Sequence, residues 1–189
     1  MKIVSNVECW HWLESNLGTG YSRLAVDAQH MSTAISQLLT RQQAQYSGCA
    51  IYKLPIDTGQ KTVLARIVSR SIDTDQVGLF WITDWDIFPS SQNMALFEGY
   101  RKSLGESRLI HDAPGHIFGQ SDVSQVECLL ALALYFYWDA TLFSGPGSVV
   151  VRVSHDEWVS IRARDNAQLK VFESELGALG LLRKAREEY

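Results

Sequence analysis

Ionisable side chains capable of acid–base or metal chemistry gather at a few places along this 189-residue chain. The first is Asp84-Trp85-Asp86. Residues two apart on a strand point to the same side, so its two carboxylates can share a metal or divide acid and base roles. A plainer reading is that a strand leaving the core shows its polar end there and caps the turn before Pro89. The second is His111-Asp112-Ala113-Pro114-Gly115-His116, imidazoles and a carboxylate in a segment rich in turn residues. Its spacing matches no zinc motif, and a loop held by hydrogen bonds from histidine to backbone is the favoured reading. The third is Ser154-His155-Asp156-Glu157. Serine, histidine and acid adjacent on a strand point apart, so they do not form a catalytic triad by themselves.

Asp139 stands apart from these. It follows an eleven-residue apolar and aromatic run, Cys128 to Trp138, and is therefore expected to be buried. A buried carboxylate needs a charged or hydrogen-bonding partner. Arg101, Arg152, His116 and His155 are the candidates. One role is a lock fastening the central helix to the following hairpin, and this is the favoured reading. Another is a cleft carboxylate tuned for chemistry.

These groups need elements to position them. A helix over Val7–Asn16, capped by Asn6 and ended by Gly18, is predicted from the spacing of Val7, Trp10, Leu13 and Leu17. Trp12 lies off that stripe and is read as a lid or contact residue. Arg23–Ala28 reads as a short strand, His30–Gln45 as a helix with Gln42 outward, and Cys49–Leu54 as a strand. Thr62–Val68 fits helix and strand alike and is read as a strand. Gly78–Thr83 is apolar on both faces and should lie centrally in a sheet. A helix follows over Gln92–Leu104, and Arg108–Gly119 reads as a loop.

The central helix, 122–138, is capped by Ser121 or Asp122 and is apolar all round toward its end, so it should be enclosed. Ala140–Ser144 and Ser148–Ser154 pair across Gly145-Pro146-Gly147, Trp158–Ile161 continues after a bulge, and Asp165 caps a last helix over Asn166–Leu176. Strands joined by tight turns and mixed with helices give an α+β fold. Its mainly antiparallel sheet packs against several helices around a buried central helix. The expected unit is one domain over 1–189, with the N-terminal third a possible helical appendage.

Composition narrows the function classes. The formal net charge is −4 and no basic face is evident, since Arg183-Lys184-Ala185-Arg186 runs straight into Glu187-Glu188. Binding to nucleic acid or to an anionic membrane is therefore not expected. The eleven-residue apolar run falls short of the ~20 residues of a spanning helix, which points to a cytoplasmic protein. The three cysteines, Cys9, Cys49 and Cys128, show no metal or disulfide spacing and read as reduced, mostly buried thiols.

The strings Gly78-Leu79-Phe80-Trp81-Ile82-Thr83, Pro89-Ser90-Ser91, Ala113-Pro114-Gly115-His116-Ile117-Phe118, Trp138-Asp139 and Ser154-His155-Asp156-Glu157-Trp158 resemble a pattern in an uncharacterised family of bacterial proteins of unknown function. The resemblance covers roughly residues 78–161. It implies a shared fold and brings no catalytic role with it.

The leading expectation is a non-enzymatic interaction module, an immunity-type or regulatory protein that binds another protein without a cofactor. Its binding residues would be Trp12, Trp85 and Trp158, as aromatic anchors, with Asp139, His155 and Asp156. The first alternative is a small metal-assisted hydrolase in which His111, His116 and His155 converge with Asp139 and Asp156. The second is a small-molecule sensor with an aromatic pocket. No catalytic residue is assigned.

Overall fold

The structure, a computed structural model, describes residues 1–18, 31–71, 77–145 and 147–184. In chain order its elements are β1 (Lys2–Val4), α1 (Asn6–Leu17), α2 (Met31–Arg41), β2 (Gly48–Lys53), α3 (Thr58–Ser71), β3 (Gly78–Asp84) and α4 (Ser91–Ser103). They continue with β4 (Gly115–Phe118), α5 (Val123–Phe136), β5 (Asp139–Ser144), β6 (Val149–Ser154), β7 (Trp158–Ala163), α6 (Asn166–Ala178) and β8 (Arg183–Lys184). The described strands form one antiparallel sheet in the order β1-β4-β3-β5-β6-β7-β2-β8. The α+β expectation holds. The expected strand at 23–28 lies outside the described residues, as does Pro146.

Both faces of the sheet are covered, because side chains alternate along each strand. Leu79 and Trp81 of β3, Phe143 of β5 and Val150 of β6 pack with Trp10, Trp12 and Leu13 of α1 and Ile35 and Leu38 of α2. Phe80 and Ile82, with Leu142, Val151 and Ile161, face the other way into a larger cluster. There they meet Leu64 and Val68 of α3, Phe97 of α4, Leu130 and Leu134 of α5 and Phe172 of α6. This is why Gly78–Asp84 reads as apolar on every position: β3 has helices on both sides. Trp10 meets Trp81 edge-on with ring centroids 5.1 Å apart, a geometry that aromatic quadrupoles favour.

Local chemistry explains most of the boundaries. Ser5, not Asn6, caps α1: its hydroxyl accepts from the Glu8 amide while the Glu8 carboxylate accepts from the Ser5 amide, a reciprocal box that satisfies two otherwise orphaned donors. Asn6 instead accepts a 2.9 Å bond from the Trp81 indole. Gly18 ends α1 in the left-handed region, as expected.

Several expectations are corrected. Thr62–Val68 is part of α3, not a strand. Asp57 begins this helix by accepting from the Gln60 amide, and Leu64, Ala65 and Val68 recur at helical spacing on its buried side. Val63 falls outside that stripe, half-exposed at 38%. Arg108–Gly119 is not all loop, since Gly115–Phe118 forms β4 between β1 and β3. The glycine that suggested a loop is needed for close approach: a Cβ at Gly115 would lie 2.1 Å from the Cys9 sulfur.

The helix expected to reach Gln45 ends at Arg41, and Gln42 is buried, not outward. Asp122 stands at the N-cap of α5 as expected, but its side chain makes no capping bond to that helix. Its carboxylate accepts from the Gly119 amide and the N-terminal ammonium, at 3.0 and 2.7 Å, which ties the start of the chain to the entrance of α5. The three residues 155–157 are the connecting turn between β6 and β7, not a bulge within a strand. Gly177 lies inside α6 and does not break it.

The apolar end of α5 is largely enclosed, with Leu132, Tyr135 and Tyr137 half-buried. Phe136 and Trp138 are buried, and Trp138 lies 5.0 Å from Phe97, ring to ring. Tyr137 between them turns the chain, with φ 55°, and its ring receives the ammonium of the buried Lys61 at 3.7 Å.

Candidate functional site

Antiparallel register brings separate parts of the chain to one end of the sheet. Asp84 at the end of β3 is opposite Asp139 at the start of β5. Ala140 is opposite Val153, so Ser154 ends β6 at the same rim, where it faces Trp158 of β7. The Leu54 amide, just past β2, donates to the Glu157 carbonyl at 2.8 Å and extends the rim by one more strand. Carboxylates from positions 84, 86, 139, 156 and 157 therefore occur together on adjacent segments.

Asp139 is the anchor of this rim. It is 2% exposed, and one oxygen accepts both the His155 backbone amide and ring Nδ1, each at 2.8 Å. Burial makes the carboxylate depend on these donors, and the donors in turn close the turn between β6 and β7. Thr83, at the irregularity in the pairing of β3 with β5, donates its hydroxyl to the Asp139 carbonyl at 3.3 Å. Of the partners weighed from sequence, His155 is in direct contact with it. On the other side of the ring, Nε2 lies 3.4 Å from a carboxylate oxygen of the exposed Asp156. Ser154 does not approach the ring as a nucleophile; its hydroxyl accepts from the Asp156 amide at 3.2 Å.

Asp84-Trp85-Asp86 takes the plainer of its two readings. An Asp84 oxygen accepts from the Asp86 amide at 3.3 Å, the bond of a local turn. Asp86 lies beyond β3, so the carboxylates do not share a strand face.

The tryptophans separate clearly. Trp85 is half-buried, whereas Trp12 and Trp158 are 8% and 2% exposed. Trp12 packs on Phe143, and Trp158 lies 5.3 Å from the Arg152 guanidinium. Neither therefore stands out from the surface as an anchor. The outward apolar side chain near Trp85 is Phe88, 56% exposed, which sequence reading passed over. Only its place just after a strand end and a polar pair signals it.

The histidines do not converge. His111 is exposed and pairs with Asp112 at 3.2 Å. His116 is fully buried on β4, and His155 sits in the turn before β7. Among the described residues no three His, Cys, Asp or Glu side chains come together to hold a metal ion. The metal-ligand expectation for His111, His116 and His155 is corrected accordingly: His111 and His155 lie in separate turns and His116 on a buried strand. The cysteine expectation is corrected in part, since Cys9 is buried but Cys49 and Cys128 are exposed. Among the described residues, no helix is long and apolar enough to cross a membrane.

Comparison of the chain with protein-family models, with curated proteins and with solved structures gives no match.

Proposed function

We propose that this protein is a non-enzymatic interaction module of the immunity or regulatory kind, and that it meets a partner protein with the rim formed by Asp84–Phe88 and His155–Glu157. The observation that supports this is the company kept by the half-buried Trp85 and the exposed Phe88. An aromatic pair beside exposed carboxylates at positions 86, 156 and 157 has the composition of a contact surface, in which aromatics supply burial and charges supply selection. The scaffold beneath it is rigid, with β5 and β6 buried at every position.

The test is capture of a partner by the purified chain, compared with a Trp85→Ala/Phe88→Ala/Asp156→Asn variant. A partner held by the native chain and lost by the variant, with circular dichroism unchanged, supports the reading. A partner held equally by both sinks it.

A second reading, a small hydrolase, draws on the Asp139–His155 pair alone. A carboxylate on Nδ1 orients a histidine as a general base acting through Nε2. Here Nε2 faces Asp156 and not a hydroxyl or thiol, which favours the lock over the base. An ester or phosphoester activity abolished by His155→Gln would reverse that preference.

A further inference from the structure

His116 lies where a charge on its ring would matter to the fold. It is fully buried, and neither ring nitrogen has a hydrogen-bond partner. Phe80, its cross-strand neighbour on β3, and Phe97 of α4 flank the ring at 6.0 and 6.2 Å. Its cross-strand neighbour on β1 is Ile3.

The charged groups around it come from α4 and the segment that follows. Arg101 of α4 is completely buried, and its Nε also has no partner. Its other nitrogens bond the Ala113 carbonyl at 2.7 Å and Glu98 at 3.4 Å, while Glu98 also accepts from the Ile110 amide at 2.8 Å. These bonds hold residues 104–114 against α4. Glu106 contributes a weaker opposing field.

Burial, and then the Arg101 charge, push the His116 imidazolium down to about 3. The Phe80 and Pro114 carbonyls pull the other way but complete no hydrogen bond. The ring is therefore neutral at pH 7. Once the segment opens, His116 returns to the ordinary histidine range near 6.5 and binds a proton. The open form therefore binds more protons between pH 6.5 and 3, so the closed form loses stability as pH falls through that window.

We propose that the corner made by α4, residues 104–114 and β4 is an acid-sensitive latch. Protonation of His116 beside Arg101 releases this segment and the β1–β4 ribbon while β5, β6 and β7 remain paired. The topology permits local release, because β1 and β4 occupy one margin of the sheet and β3 separates them from β5–β7. Units at a sheet margin open more readily than central ones.

Native-state hydrogen exchange on the full chain, corrected for intrinsic amide rates, tests this. Between pH 7 and pH 5 the open population should rise ~25-fold from the two proton affinities. The amides of Ile110 and of β1 and β4 should therefore lose protection by about that factor, while Val151 and Ile161 keep theirs. In His116→Leu, which takes up no proton, the change at the margin should be less than about threefold. Uniform loss across the sheet, or an unchanged response in His116→Leu, would overturn the proposal. If that variant does not fold, the His116 ring resonance of the native protein decides. No titration between pH 7.5 and 4.5 is expected, and a midpoint near the ordinary value overturns the latch.

Discussion

Replacing Asp139 removes an acceptor that two donors share. In Asp139→Ala the His155 amide and ring Nδ1, each now 2.8 Å from one carboxylate oxygen, lose their partner. Hydrogen bonds to a charged group contribute about 1.5–3 kcal/mol each, so the expected loss is about 3–6 kcal/mol. His155→Ala should cost about 1 kcal/mol, since the ring is partly solvated and the amide at 155 keeps its bond. Asp139→Asn, which retains one acceptor oxygen without the charge, should fall between them.

Equilibrium unfolding in urea gives these numbers from midpoints at constant slope. Total stabilities run to about 5–15 kcal/mol, so the alanine variant is expected to be marginal and the asparagine variant to be measurable. A double-mutant cycle with His155→Ala should return a coupling of about 1 kcal/mol. If Asp139→Asn costs nothing, or if Asp139→Ala costs no more than His155→Ala, the carboxylate is not the lock described above.

Other outcomes follow from single positions. Glu157 has φ 62°, a conformation that favours glycine. Glu157→Gly should therefore stabilise the fold by about 0.5 kcal/mol, the relief of left-handed strain less the added freedom of the unfolded glycine; a lower urea midpoint would contradict this. At Gly115 an added methyl would stand 2.1 Å from the Cys9 sulfur and 2.8 Å from Val4. Gly115→Ala should cost about 2–3 kcal/mol by overpacking, and Cys9→Ala in the same chain should recover part of it. Trp85 is half-buried while the other five tryptophans are at most 8% exposed. Acrylamide should therefore quench mainly Trp85, and Trp85→Phe should lower the quenching slope; an unchanged slope would show that another indole is open to solvent.

Much of the architecture is legible from residue order alone. Apolar period and caps locate α1, α4, α5 and α6 and the strands β2, β3, β5, β6 and β7, because those signals act within a few residues. The burial of Asp139 is likewise legible, as an acid placed at the end of an apolar run. The failures are of another kind. Thr62–Val68 carries a pattern compatible with either element, and only packing of Leu64 and Val68 among the buried side chains around α5 selects the helix. Gly115–Phe118 looks like a loop until β1 and β3 pair with it from either side.

The candidate site divides in the same way. Composition by itself determines that carboxylates, histidines and aromatics are available at positions 84–88, 111–116 and 154–158. Only the antiparallel register brings Asp84, Asp139 and His155 to one end of the sheet, buries Trp12 and Trp158, and sends His116 into the core beside Arg101. A side chain's identity is local, but its neighbours and its access to water depend on strands that pair across long separations in the chain. Charge state and contact are set by those neighbours, so the roles of these residues are decided by tertiary structure.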